Sequence, residues 1–213
     1  MKNKNILEIC LSPDLGGLEI FMTNCFKYFK TKTNCKVIVQ QNQKLDAYLE
    51  DEKVSYIKRE KYFPIKPALE LAHFIDNHDI DIVHFHWTKD ILTVVLAKFF
   101  SSKKPKIVQT RNMNMTRFKS DFYHKWLYKN ITLIHAVTYQ VKSQLEKFIP
   151  QAIRPKIEVV YMGTKEQEVD NKKVEELKNR YNLQDNFVVG IVGRIEEVKG
   201  QYLVIEAIEK LKD

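Results

Sequence analysis

Between residues 6 and 161 the chain alternates short β-rich runs with segments of helical length, and this rhythm constrains its fold more than any other feature. The runs Ile6–Leu11, Lys36–Gln40, Val54–Lys58, Ile80–Phe85, Lys106–Thr110, Leu133–Val137 and Ile157–Tyr161 read as strands. Helices are expected near 18–30, 44–52, 67–78, 89–100, 119–129 and 139–148. Strand–helix–strand units close as right-handed crossovers into a parallel sheet covered on its faces. The class is therefore α/β, a doubly wound Rossmann-like parallel sheet over residues 1–163. In such sheets ligands gather outside the carboxyl ends of the strands, so the residues just after each strand are the ones to read for chemistry.

The rhythm changes after Gly163. Residues 164–186 are densely charged and read as a linker entering a solvated helix near 171–181. Phe187–Gly193 then reads as a new buried strand and Gln201–Leu211 as an amphipathic helix. One strand and one helix cannot bury a core, so 187–213 is expected to open a second, incomplete α/β domain. A hydrophobic content of 44% over 213 residues excludes a disordered chain. The formal net charge of +8 favours an anionic partner without choosing among nucleotide, phosphate, lipid and nucleic acid. Cys10, Cys25 and Cys35 lack metal-ligand spacing. Glu8 interrupts the first apolar run, which is too short for a secretion signal. Free thiols in a reducing cytoplasm are the expectation. No run has the length of a membrane-spanning helix.

Four places carry candidate chemistry. The first strand exits through Ser12-Pro13-Asp14-Leu15-Gly16-Gly17 directly into a helix. Paired glycines permit positive φ and close backbone approach, and the helix behind them offers unpaired N–H groups to a phosphate. Glu19 suits the helix dipole provided its charge points away from a bound anion; an ordinary strand-to-helix turn is the alternative. His84 and His86, in Asp81-Ile-Val-His-Phe-His-Trp87, share one strand face. That spacing could serve a metal, but no acidic or cysteine partner is evident, so we expect no metal site, one buried hydrogen-bonded histidine and one lining a cleft.

Residues 98–129 hold nine basic residues against Asp121 alone, an excess equal to the whole net charge. Phe118, Phe122 and Trp126 recur among them at i, i+4 spacing. Such a helix could lie on an anionic membrane, or pack its aromatic face on the sheet with its lysines solvated. No nucleic-acid-binding motif accompanies the charge, and nucleic acid is not an expected partner. Arg194 and Lys199 occupy the loop Gly193–Gly200, where two cations could clamp a diphosphate. The order of Gly and Lys there is not that of a Walker loop.

Taken together, Gly16-Gly17 with Glu19, Asp81–Trp87, Ala136-Val-Thr138 with Val141, Val159–Gly163, and Gly193-Arg194 with Lys199-Gly200 resemble the family-4-type glycosyltransferases in order and spacing. The resemblance covers nearly the entire chain. It implies a GT-B fold of two facing Rossmann-like domains, the first receiving the acceptor and the second a nucleotide-sugar donor. The implied reaction is retaining transfer of a hexose or heptose from a nucleotide-diphosphate sugar to a glycan or lipid-linked acceptor, as in cell-surface polysaccharide or lipopolysaccharide synthesis. No metal or cofactor is implied. By the same resemblance Gly16 and Gly17 approach the reacting phosphate and sugar, with Glu19 and Arg111 on the substrate side. Arg194 and Lys199 neutralise the departing donor diphosphate.

Two departures from the family pattern stand out. The family's histidine after the fifth strand is replaced, in Thr110-Arg111-Asn112-Met113, by Asn112. An amide can hydrogen-bond to a sugar hydroxyl but does not titrate near neutral pH. Asn112 and His86 are then the expected catalytic pair. The family's paired-glutamate motif falls later than Asp213. The chain is accordingly expected to be weak or inactive alone, its donor domain completed elsewhere, for instance by a partner chain. The alternative is a non-catalytic acceptor-binding or partner subunit. A cytoplasmic place, peripheral on the inner membrane face through 98–129, suits either reading.

Overall fold

The computed structural model describes residues 4–163, 168–184, 186–193 and 195–211, and the chain divides into two compact units, 1–163 and 164–213. The first unit is built on a seven-stranded sheet whose paired strands all run parallel. Its strands are β1 (Ile6–Cys10), β2 (Cys35–Val39), β3 (Ser55–Tyr56), β4 (Ile82–Phe85), β5 (Lys106–Arg111), β6 (Leu133–Ala136) and β7 (Lys156–Val159). They are ordered β3-β2-β1-β4-β5-β6-β7. The connecting helices are α1 (Gly17–Phe29), α2 (Lys44–Tyr48), α3 (Ile65–Asn77), α4 (Ile91–Phe100), α5 (Phe122–Asn130) and α6 (Tyr139–Phe148). The doubly wound α/β class read from the sequence is the one observed. The winding reverses between β1 and β4, which makes the gap outside their carboxyl ends the switch point of the sheet.

Period-two alternation sorts the strand residues onto two faces. Leu7, Ile9, Val83, Phe85, Ile107 and Ile134 enter one core with Leu71 and Ile75 of α3, Val94 of α4, Leu127 of α5 and Leu145 of α6. Cys10, Val37 and Val39 enter a second core with Met22 and Phe26 of α1 and Leu45 of α2. A side chain as completely buried as Phe85 contributes about 1.5–3 kcal/mol. Glu8, His84 and His86 fall on alternate positions between these apolar residues and are nonetheless buried. β3 is shorter than its apolar run because it is an edge strand, paired only through Ile38↔Ser55 and Val39↔Tyr56.

The basic segment 98–129 does not form one surface. β5 carries the chain through the sheet, about 20 Å at the usual rise per residue. Lys103, Lys104 and Lys106 emerge at the amino ends of the strands with Asp79 and Asp81, and Lys103 pairs with Asp79. Arg111, Arg117 and Lys119 emerge at the carboxyl ends. α5 starts at Phe122, where the Asp121 carboxylate accepts the His124 N–H. It buries Leu127 and Tyr128 and leaves Phe118 and Phe122 outside. Trp126 packs partly against the core, so the aromatic residues are divided between core and solvent. Among the described residues no helix is long and apolar enough to cross a membrane.

In the second unit α7 (Asn171–Tyr181) begins where Asp170 accepts the N–H groups of Lys172 and Lys173. α8 (Gln201–Lys210) follows a 3-10 turn over Glu197–Lys199 and Gly200, whose φ is +71°. The expected buried strand Phe187–Gly193 is absent: the segment is irregular, with Phe187 95% and Val192 102% exposed. An apolar run becomes a strand only where neighbours take its backbone hydrogen bonds, and among the described residues no strand pairs with it.

Candidate functional site

The exits of β1 and β4 flank the switch point. Gly16 is extended at φ −151° and Gly17 is the first residue of α1. Neither has a positive φ, so the conformational reason for the pair does not apply. The Gly16 N–H donates to Glu19 Oε2 at 2.9 Å, and Glu19 is 6% exposed. Its carboxylate therefore sits on the helix N-terminus itself and offsets the dipole that would draw a phosphate there. Space is what remains: a Cβ on Gly17 would meet nothing within 4 Å.

Asp90, missed in the sequence, fixes this edge from the β4 side. Its Oδ2 accepts the Leu11 N–H at 2.9 Å, tying the exit of β1 to the turn before α4. Burial pushes its carboxyl up to about 7.

Below the switch point lies a polar chain that crosses the sheet. Register places Glu8 opposite His84 and Thr110 opposite His135. Glu8 Oε1 meets His84 Nδ1 at 2.9 Å, His84 Nε2 meets Thr110 Oγ1 at 2.8 Å, and Thr110 Oγ1 meets His135 Nδ1 at 3.0 Å. His135 Nε2 meets the Val160 carbonyl at 2.8 Å. An ionised Glu8 accepts only, and the carbonyl accepts only. Four links join them, while neutral His84, Thr110 and His135 together bring three protons. With both rings neutral, three of the four links carry a proton.

His86 is a side branch: its Nε2–H donates to Glu8 Oε2 at 2.7 Å, its ring packs edge-on to Phe21, and its buried Nδ1 has no partner. His86 is the fully buried, hydrogen-bonded member of the pair, while His84 edges an apolar pocket of about 370 Å³ beside Phe21, Cys25 and His135, and the acidic partner that the sequence did not reveal is Glu8. The facing atoms of Glu8, His84 and His86 lie within 4.8 Å of one another, close enough for a cation. In this structure hydrogen bonds join Glu8 to both rings.

This network sets the pH response. Burial raises the Glu8 carboxyl, but the charge and hydrogen bonds of His84 and His86 prevail and hold it at about 2, below its ordinary 4.5. Burial and then the His84 charge push His86 from 6.5 to about 4. In both cases the unfolded chain takes up its proton at higher pH than the folded one, so stability is full above the unfolded value and lost as pH falls. The windows are pH 6.5 to 4 for His86 and 4.5 to 2 for Glu8. Asp90 works the other way, losing stability as pH rises from 3.8 through about 7. An Asp90→Asn variant should therefore show a denaturant midpoint that falls continuously from pH 6.5 to 4. A flat midpoint across that window would contradict the network's charge assignment.

Beyond β5 the carboxyl edge opens into a cleft of about 520 Å³. Arg111, the last residue of β5, is buried; its Nη1 donates to Thr88 Oγ1 at 2.5 Å and its Nη2 to the Met113 carbonyl at 3.3 Å. Asn112 follows, half-buried, just past the strand end. Of the expected site residues, Gly16, Gly17, Glu19, His86, Arg111 and Asn112 all lie in or beside loops on this edge of the first unit. Lys199 is exposed in the second unit, and Arg194 lies outside the described residues.

A family model described as "Glycosyl transferase 4-like" matches residues 8–138, more than half of the chain. The chain belongs to that family. No curated protein sequence matches it. Among solved structures, HepE from Anabaena in complex with UDP-glucose superposes with a TM-score of 0.78 at 16% identity, covering 97% of this chain and 57% of that one. A glycosyltransferase from Rickettsia africae superposes with a TM-score of 0.75 at 21% identity, covering 100% of this chain and 58% of that one. Sucrose-phosphate synthase from Thermosynechococcus elongatus gives 0.68 at 13% identity, covering 97% and 60%. These likenesses establish the fold. The chain spans less than two thirds of the length of each of these three.

Proposed function

We propose that the chain is the acceptor-side part of a glycosyltransferase that draws on a nucleotide-diphosphate sugar, with residues 164–213 leading into the donor side. The observation that carries the reading is the extent of the family match, 8–138, which contains every carboxyl-edge loop described above. The retaining reaction moves a hexose or heptose to a glycan or lipid-linked acceptor in the making of cell-surface polysaccharide or lipopolysaccharide. In support, HepE holds UDP-glucose in its crystals, and the similar WaaB is a lipopolysaccharide outer core galactosyltransferase. A cytoplasmic location, next to a membrane that carries the acceptor, goes with it.

In this account the open backbone at Gly16 and Gly17 lets the reacting phosphate and sugar approach, while Glu19 holds that turn through the Gly16 N–H. Asn112 bonds a sugar hydroxyl. His86, neutral and donating to Glu8, is held ready beneath the switch point, and Arg111 meets the acceptor. Arg194 and Lys199 take up the charge of the departing diphosphate, the role that preorganised cations fill in transition states that expel an anion.

The test fuses residues 1–163 to the donor half of a family member and follows release of UDP from UDP-glucose over a panel of acceptors. Sustained turnover supports the enzyme, with the 213-residue chain alone near background. A fusion that binds acceptor without any turnover, across several donor halves and sugars, would favour the acceptor-binding subunit instead.

A further inference from the structure

We propose that the cleft beyond β5 binds a phosphate or diphosphate group carried by the acceptor. The inference rests on the transferase reading for the word acceptor, and on the cleft alone for the anion. Six cations line it, Arg59, Lys61, Lys89, Arg111, Arg117 and Lys119, against one acid, Glu60. None of the six is in an ion pair among the described residues.

Two of the cations are guanidiniums with a buried Nε that has no partner, Arg59 and Arg111. Arg111 is only 7% exposed. A buried guanidinium without a carboxylate is costly, and a ligand anion that takes its free N–H offsets that cost. Arg59 is set in place by stacking on Trp87, 4.7 Å from the ring centroid, with Lys89 at 5.0 Å from the same ring. The planar forks of two arginines match phosphate oxygens, and the surplus of charge suits a group carrying more than one negative charge. A volume of about 520 Å³ takes a sugar phosphate or the head of a lipid-linked diphosphate. Exposed Met113 lines the cleft, and exposed Tyr62 and Phe63 fall in the chain between its lining residues Lys61 and Pro64, so of the two sources of this chemistry the lipid-linked one is expected to bind tighter.

Calorimetry on the 213-residue chain tests this with inorganic pyrophosphate as probe. Pyrophosphate should bind, and Arg111→Gln should weaken it by about tenfold or more, the loss of one charge-assisted contact. Arg59→Gln, on a half-buried side chain, should do the same and keeps the test open if Arg111→Gln fails to fold. Lys106→Gln, at the amino ends of the strands, should leave the affinity as it was. Absence of binding, wild-type affinity retained in both arginine variants, or a loss confined to Lys199→Gln would overturn the proposal. Phosphatidylcholine vesicles with and without a polyprenyl diphosphate separate the sources: tighter binding than pyrophosphate identifies a lipid-linked acceptor, equal affinity a soluble phosphorylated one. The two readings fail separately. A fusion that transfers only to uncharged acceptors keeps the transferase and loses the anion, whereas one that never transfers, on a chain whose pyrophosphate site needs Arg111, does the reverse.

Discussion

Glu8→Leu is expected to cost the first unit about 3–5 kcal/mol, the usual penalty for removing one partner of a buried charged pair. For a domain of this size that is a fall in Tm of roughly 10 °C. The leucine fits a strand interior, so the loss comes from what it abandons: His84 and His86 each lose the carboxylate oxygen they face. Thr110→Val removes two links and leaves the Glu8–His86 bond, so it should cost less, about 1–3 kcal/mol. Glu8→Gln should fall between wild type and Glu8→Leu, since an amide still offers one donor and one acceptor. Thermal melts at neutral pH check the order. Glu8→Leu at wild-type stability would mean that the network contributes nothing.

Gly17→Ala should separate function from folding. Its φ is not positive and the space around it is empty, so the substitution should hold or raise stability, by up to about 1 kcal/mol. Transfer by the donor-half fusion should nevertheless drop roughly a hundredfold, because a methyl group at the point of closest approach displaces the reacting sugar by the order of an ångström. Gly17→Val should abolish it. Turnover assays run beside thermal melts decide: full activity in Gly17→Val would reduce the glycine pair to a turn.

The alternation of strands and helices was legible because period and turn chemistry are local properties, and the sheet followed them almost element for element. Phe187–Gly193 misled for the opposite reason. Its apolar run is strand-like, but a strand is a property of neighbours, and none pairs with it among the described residues. Glu8 reads as an interruption of an apolar run. It becomes a partner for His84 only once β1 is set beside β4, a step that the doubly wound order implies but the letters do not display. Counting charge over 98–129 made one patch of residues that β5 sends to opposite ends of the sheet. Arg59 and Asp90 gave no signal at all, since their roles come from stacking on Trp87 and from reaching across to the Leu11 amide.

If this chain works as part of a glycosyltransferase, its substrates meet the carboxyl edge of the sheet. Hydrogen exchange of the donor-half fusion, with and without a nucleotide sugar and an unreactive acceptor analogue, tests it most directly. New protection is expected in 11–18, 86–90 and 111–117, on the loops that follow β1, β4 and β5. Protection confined to 79–82 and 103–106, at the opposite ends of the strands, would contradict it.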